Sequence, residues 1–269
     1  MASFDLLIID PQNDFLDIEG AALPVAGADA DMDRLAYWLT QHAADVESIT
    51  VTLDSHASVG IERTTFWLQH NGEPIQAFTP ILVEDVQAGR YAPRHAALKA
   101  GVITYLQALE ATGKHQLLAW PVHCVLGTWG HNIHGALAKA IAHWEMVTGC
   151  VCEKVLKGQN PTTEQYSAFR AEVPRADDPR TLLNQALLQR LANGRGTLLV
   201  TGEASSHCVA ASMQDMVQHL PRERLMQTVL LIDCMSPVAG CESMTNAMLE
   251  QACACGVQSA RTLDEGCYT

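Results

Sequence analysis

Cys208 follows the short loop EASSH and precedes a helical pattern, which places its thiol in the first turn of a helix. A thiol there meets the positive end of the helix dipole, which favours the nucleophilic thiolate. Backbone N–H groups at the same turn could hold a developing oxyanion. As a bare residue Cys208 reads equally as a small buried apolar side chain, and its location alone sets it apart from the other cysteines. Asp10 ends the apolar run FDLLIID, where a carboxylate could take the thiol proton and hand it to a leaving nitrogen. Lys157 ends another run and would support the thiolate and keep Asp10 ionised. Taken singly, Asp10 could cap the following turn and Lys157 could be a solvated strand end.

A second group points to a metal. Asp54 ends the run SITVTLD, His56 lies two residues on, and His123 follows the run HQLLAW. A carboxylate and two imidazoles suit a borderline divalent ion such as zinc, with positions left for water or substrate. The Asp-x-His spacing puts both side chains on one side of an extended segment. His70, His95, His131 and His134 have no comparable placement and are read as non-ligands.

These residues need elements to carry them, and the chain supplies short apolar runs alternating with helical stripes. Strands are expected at Phe4 to Asp10, Ser48 to Asp54, His115 to Trp120, near Cys150 to Leu156, Gly196 to Gly202 and Thr228 to Asp233. Met32, Leu35, Ala36 and Leu39 stripe a first helix, and Leu98, Val102, Tyr105, Leu106 and Leu109 a second, stopped by Gly113. Ile133, Leu137, Ile141 and Trp144 stripe a third. Further helices are expected around Thr162 to Ala171, Arg180 to Ala192, Ser206 to Leu220 and Glu242 to Cys255. This β, α, β, α rhythm implies an α/β fold with a parallel sheet covered on both faces. Ligands in such sheets bind beyond the carboxyl ends of the strands, and reactive residues stand at five of the expected ends: Asp10, Asp54, the Trp120–Cys124 segment, Lys157, and the loop after Gly202. Residues 57–94 break the rhythm, with Phe66, Trp67, Phe78, Tyr91 and three prolines in an aperiodic stretch. A connection of that length is expected to line a lid over a site or to meet a partner subunit.

Bulk composition narrows the classes. A chain of 269 residues with 48% hydrophobic content can bury one large core or two small ones. The net charge of −13, without a basic stripe, excludes nucleic acid as a natural partner. No apolar run is long enough for a bilayer span, and the N-terminal stretch carries Asp5 and Asp10 and reads as a strand and not a signal peptide. Nine cysteines form an odd set for a disulfide scaffold, so reduced thiols in a cytoplasmic setting are expected. The pairs Cys150/Cys152 and Cys253/Cys255 read as small buried residues in a strand and a helix.

Taken together, LLIIDPQNDF, TLDSH, AWPVHCVLGTWG, KGQNPTTEQYSAF, LLVTGEASSHCVAAS and LLIDCMSPV resemble the nicotinamidase/isochorismatase-like cysteine hydrolases, in that family's order and over nearly the whole chain. The resemblance implies a single three-layer α/β/α domain over residues 1–269, its central sheet mostly parallel with about six strands, and the 57–94 stretch as an insertion. It implies that Cys208 attacks an amide carbonyl, Asp10 shuttles the proton and Lys157 supports the thiolate, through a thioester that water then hydrolyses. A cis peptide is implied at Glu203–Ala204, with the N–H groups of Ala204 and Cys208 as oxyanion donors. Asp54, His56 and His123 would hold the divalent metal, zinc by preference, which in nicotinamidases meets the pyridine nitrogen. Phe15, Trp120 and His207 are the expected substrate contacts. The implied partners are a small-molecule amide, nicotinamide first, and further copies of the chain in a homo-oligomer. Departures are His207, where an aromatic residue commonly precedes the nucleophile, and Glu203, where an aliphatic one is common. The alternatives are a related amidase acting on an N-carbamoyl, ureido or other small amide, and a catalytically silent binding protein that kept the fold.

Overall fold

The computed structural model describes residues 3–114 and 116–263. His115 and Cys267, which figure in the sequence reading, lie outside the described residues. Ten strands are formed: β1 (Phe4–Ile9), β2 (Val46–Asp54), β3 (Trp67–Gln69), β4 (Thr79–Ile81), β5 (Tyr91–Pro93), β6 (Leu117–Ala119), β7 (Glu153–Lys157), β8 (Thr197–Gly202), β9 (Thr228–Leu231) and β10 (Gln258–Ala260). The helices are α1 (Ala28–Gln41), α2 (Val83–Gln87), α3 (Lys99–Ala111), α4 (Gly135–Thr148), α5 (Gln185–Asn193), α6 (Cys208–His219), α7 (Arg222–Leu225) and α8 (Glu242–Ala254). Six strands make one sheet in the order β10-β9-β8-β1-β2-β7, and every pairing in it is parallel.

Side-chain alternation along these strands feeds two separate cores. Phe4, Leu6 and Ile8 of β1, with Leu199 and Val229, pack on α1 and α4 through Met32, Leu35, Trp38, Leu137, Ile141 and Trp144. Leu7 and Ile9, with Leu198, Val200 and Leu230, face α5, α6 and α8 through Leu187, Leu191, Val209, Met213, Met216 and Met248. A strand packed on both faces carries apolar side chains toward each, which is why LLII, after the paired Asp5, shows no alternation in sequence. The result is the three-layer α/β/α arrangement. Among the described residues no helix is long and apolar enough to cross a membrane.

Three elements differ from the sequence reading. The apolar run ending at Ala119 forms a strand, but it pairs antiparallel with β4 and lies outside the parallel sheet, so Trp120 and His123 do not follow a strand of that sheet. The sixth parallel strand is instead β10, three residues of mixed character that periodicity does not reveal. No helix forms over residues 162–171. Thr163 Oγ1 bonds the Val173 carbonyl, Glu164 Oε1 accepts the Gln165 N–H, and Ser167 Oγ accepts the Phe169 N–H, so side chains compete for the backbone groups a helix would use.

Residues 57–94 are not featureless. They form β3, β4, α2 and β5, with β3 pairing antiparallel to β5, and their apolar residues Ile61, Phe66, Trp67, Ile75, Ile81 and Val86 share a third cluster with α3. The eight cysteines described are all free. Cys152 is buried as expected, whereas Cys150 and Cys253 are exposed and Cys255 half-buried, because strand β7 begins after Cys150 and Cys253 stands on the outer face of α8.

Candidate active site and metal centre

Register brings the reactive residues to one edge of the sheet. Asp54 pairs with Lys157 as the last residues of β2 and β7, and Ile9 pairs with Gly202 at the ends of β1 and β8. Gly202 has φ +122°, and a Cβ there would lie 1.9 Å from the Ile9 carbonyl oxygen, so glycine alone lets β8 end against β1. Asp10 turns off β1 with φ +44°. Its N–H and its Oδ1 both engage Thr52 Oγ1, at 3.0 and 2.6 Å. Gln12 ties this turn to β2, donating to the Asp54 carbonyl at 2.9 Å and accepting the Asp54 N–H at 2.7 Å.

Lys157 is the hub. Its ammonium lies 2.9 Å from Asp10 Oδ2, 2.9 Å from Asp54 Oδ1, 3.1 Å from the Gln165 carbonyl and 3.6 Å from Cys208 Sγ. All four side chains are buried. Burial raises the Asp10 carboxyl above its ordinary value against the pull of Lys157. Burial also opposes the charge on Lys157, but Asp10 and Asp54 hold its ammonium well above the usual lysine value.

The thiol does not fit the expectation of a resting thiolate. Cys208 is the first residue of α6, as the sequence suggested. Burial nonetheless pushes its pKa well up, and Lys157 opposes this while Asp10 and Asp54 add to it. Burial, with the two carboxylates adding to it, outweighs the Lys157 ammonium and favours the neutral thiol.

Asp54, His56 and His123 also come together. Their ligand atoms all lie within 4.8 Å of one another, with His56 Nε2 2.7 Å and His123 Nε2 3.4 Å from Asp54 Oδ2. Burial would raise Asp54, but His56 and Lys157 hold it well below the usual carboxylate range. Burial would lower His56, yet Asp54 and Glu62 carry it to about 9; burial and Arg63 bring His123 down to about 4. The fit to a metal is good in chemistry and in space. The donors are one carboxylate and two imidazoles, and Gly158 (φ +73°) stands so close that a Cβ would sit 2.6 Å from His56 Cε1.

The outer ring of the cluster was missed in the sequence. His56 Nδ1 lies 3.1 Å from Glu62 Oε1, which accepts from Arg63 Nε at 3.0 Å, and Arg63 Nη1 reaches His123 Nδ1 at 2.8 Å. Such partners orient imidazole ligands. The 57–94 segment therefore supports the cluster with its first charged residues. The signal was available: a charged pair, Glu62–Arg63, placed between apolar Ile61 and Phe66 in a stretch rich in aromatics. His131 bonds Ser55 Oγ through Nε2 at 2.8 Å, and His134 faces Asp29, so neither joins the cluster.

Beside Lys157 and Cys208 lies a pocket walled by Phe15, Leu23, Val25, Trp120, Tyr166 and Val238, with Asp54, His123, Glu164, Ala204 and His207 also on its lining. Trp120 donates its indole N–H to Tyr166 Oη at 3.0 Å and meets His207 edge-on at 5.3 Å between ring centroids. Phe15 tilts against His123 at 5.3 Å. All three expected substrate contacts thus line one cavity. Phe78, from the 57–94 segment, stands edge-on to Trp120 at 5.7 Å. Burial lifts Glu164 to about 8, helped by Glu62; the motif TTEQYSAF contains it without marking it. The Glu203–Ala204 peptide is cis, as the resemblance implied.

The six-stranded parallel sheet in its α/β/α sandwich is the fold of the isochorismatase-like hydrolases, and an isochorismatase-family protein from Desulfovibrio vulgaris superposes with a TM-score of 0.52 at 19% identity, covering 97% of this chain and 95% of its own. Within that class the likeness is to nicotinamidases. The nicotinamidase/pyrazinamidase of Mycobacterium tuberculosis is 26% identical over 249 residues, 92% of this chain and 97% of its own. A nicotinamidase/pyrazinamidase structure from Acinetobacter baumanii has a TM-score of 0.64 at 20% identity, covering 98% of each chain. The pyrazinamidase of Pyrococcus horikoshii, solved in complex with zinc, has a TM-score of 0.56 at 18% identity over 96% of this chain and 99% of its own. No family model matches the chain. The resemblance read from the sequence is upheld by these relatives.

Proposed function

We propose that the chain is a cysteine amidohydrolase that cleaves nicotinamide to nicotinate and ammonia. The observation that carries this reading is the position of the Lys157 ammonium, 2.9 Å from both Asp10 and Asp54 and 3.6 Å from Cys208 Sγ. It joins the nucleophile, its base and the metal ligands into one buried unit beside an aromatic pocket.

In this reading a planar ring lies between Phe15 and the Trp120/Tyr166 wall, with its amide carbon over Cys208. Asp10 takes the thiol proton as sulfur attacks the carbonyl carbon, and the N–H groups of Ala204 and Cys208 face the oxygen that gains charge. Lys157, 3.6 Å from the sulfur, stabilises the negative charge that passes from Asp10 to Cys208. Asp10 then returns the proton to the amide nitrogen, the C–N bond breaks and ammonia leaves a thioester on Cys208. Water, giving its proton to Asp10, attacks the thioester carbon; nicotinate departs and the thiol is restored. Asp54, His56 and His123 would hold a divalent metal, zinc by preference, whose chemistry is to offer an open position to a ring nitrogen or water.

The pocket favours a ring over a ureido or N-carbamoyl group, because its walls are apolar and aromatic where those groups need several polar partners. A silent binding protein has no use for a buried base, ammonium and thiol in mutual contact. A cytoplasmic setting and self-association, both implied by the resemblance, belong to the same reading.

Ammonia release from nicotinamide and a panel of small amides tests the proposal, with Cys208→Ala as control. Turnover of nicotinamide by the wild type and none by the variant is expected. Failure to hydrolyse nicotinamide while another amide is cleaved overturns the substrate. Failure on every amide overturns the enzyme reading.

A further inference from the structure

Glu203 stands where the family resemblance leads one to expect an aliphatic residue, and the mechanism above does not use it. Its side chain is fully buried and reaches away from the pocket toward the start of α1, where it meets Asp31, itself 3% exposed. Ser236 joins the two acids: its N–H donates to Glu203 Oε2 at 3.2 Å and its hydroxyl to Asp31 Oδ2 at 2.6 Å. Asp31 Oδ1 pairs with Arg34. Glu203 Oε1 has no donor from the protein. Both acids are buried, and with Arg34 engaged by Asp31 the one Ser236 N–H is too little to satisfy an ionised Glu203.

We propose that Glu203 and Asp31 hold one proton between them, resident on Glu203, and that this hydrogen-bonded carboxyl pair positions the Ala204 N–H for the oxyanion. The second part rests on Ala204 being an oxyanion donor, as in the reading above. Asp31 is the ionised member because it lies in the first turn of α1 and faces Arg34. Glu203 then donates to Asp31 and fills the place of the missing donor. Burial and the neighbouring Asp31 charge both push Glu203 well above the ordinary carboxyl value, and Asp17 acts in the same direction. Arg34 and Asp31 from α1, Asp17 from the loop before it, and Ser236 after β9 are the polar groups facing the pair.

The link to the site is short. The Glu203 N–H is fixed to the Ile9 carbonyl at 2.8 Å and the Ser205 N–H to the Ser236 carbonyl at 2.9 Å, so Ala204 hangs between two anchored residues. Glu203 adds a third tether to Ser236 through its side chain. Loss of that tether frees the peptide whose N–H faces the substrate oxygen. Glu203 is thus a positioning residue that never touches substrate.

The test compares wild type with Glu203→Gln and Glu203→Ala, using whichever amide of the panel the wild type hydrolyses. Glutamine keeps a neutral donor of the same length. We expect Glu203→Ala to lower kcat about tenfold or more with KM little changed, and Glu203→Gln to recover most of that loss. Equal loss in both variants, or a change confined to KM, overturns the positioning role. The shared proton has its own readouts, independent of turnover. A protonated-carboxyl infrared band at neutral pH should be present in the wild type and diminished in Glu203→Gln; identical spectra overturn it. Because the folded carboxyl keeps its proton after the unfolded one has lost it, wild-type stability should fall relative to Glu203→Gln as pH rises above about 5. Parallel melting temperatures across pH would overturn the pair. Should the glutamine variant fail to fold, Asp31→Asn removes the acceptor of the shared proton instead: the carboxyl band should then shift in frequency, and an unshifted band overturns the pair. If no amide is cleaved, the enzyme reading fails and the positioning role with it, while the band and the pH series still decide the shared proton.

Discussion

At the N-terminal ends of the strands, Asp5 is paired with Arg224 at 2.8 Å and accepts from Ser48 Oγ at 2.6 Å, while Arg224 also donates to the Leu191 and Gly196 carbonyls. At the C-terminal ends, one lysine serves two carboxylates, and Glu62 Oε2 and Glu164 Oε2 are buried without hydrogen-bond partners. Both ends bury charge beside the same strands. The first balances charge one to one and fills every bond it can. The second leaves acceptors and a shared cation beside a pocket and the Asp54, His56, His123 cluster. Buried charge that is fully matched holds structure together; buried charge left in surplus is held ready for a ligand.

Removing the hub should have the largest effect. Lys157→Met is expected to lower kcat/KM by roughly a thousandfold, since it separates base, nucleophile and metal ligands at once. Steady-state amide hydrolysis measures it, and a loss under tenfold would break the comparison. Next, Arg224→Ala should cost about 3–5 kcal/mol of stability by leaving Asp5 buried without its partner, with kcat per folded molecule unchanged. Asp10→Asn should behave oppositely. Its carboxyl is raised by burial, so the folded state opposes its ionisation at neutral pH, and removing the charge should leave stability equal or higher by about 1 kcal/mol while activity is lost. Denaturant titrations of the two variants decide whether the ends differ.

The smallest expected effect is on metal affinity. His56 sits at about 9 between Asp54 and Glu62 in the metal-free protein and must lose its proton to become a ligand. Affinity should therefore rise with pH, by up to about tenfold per unit, and level off above about 9. Competition titrations with zinc over this range measure it. A flat profile would mean that His56 is not a ligand.

Most of the site was legible because its residues end apolar runs, and apolar runs of β-branched and leucine residues are the clearest strand signal. Asp10 and Asp54 follow from that rule, Lys157 from the end of a short strand of mixed character, and Cys208 from a loop and a helix stripe. The position of His123 was legible only by type. Its segment leaves the parallel sheet, and a loop held by the His56 N–H to the Cys124 carbonyl brings it in. Glu62, Arg63 and Glu164 have roles that depend on being buried; for Glu62 and Arg63 the only local sign is their place among apolar and aromatic residues, and Glu164 has none. The state of the Cys208 thiol was likewise hidden, since it depends on burial and on the charges of Lys157, Asp10 and Asp54, which come from distant segments.

Lys157 closes β7, an edge strand that pairs with β2 on one side and whose preceding residues Glu153, Lys154 and Leu156 are exposed. Edge strands have one neighbour to hold them and open first in local unfolding. Amide hydrogens of β7 should exchange faster than those of β1 or β8, and each opening withdraws the lysine on which both clusters depend. Heating would then silence the enzyme some degrees below the temperature at which the sheet itself melts.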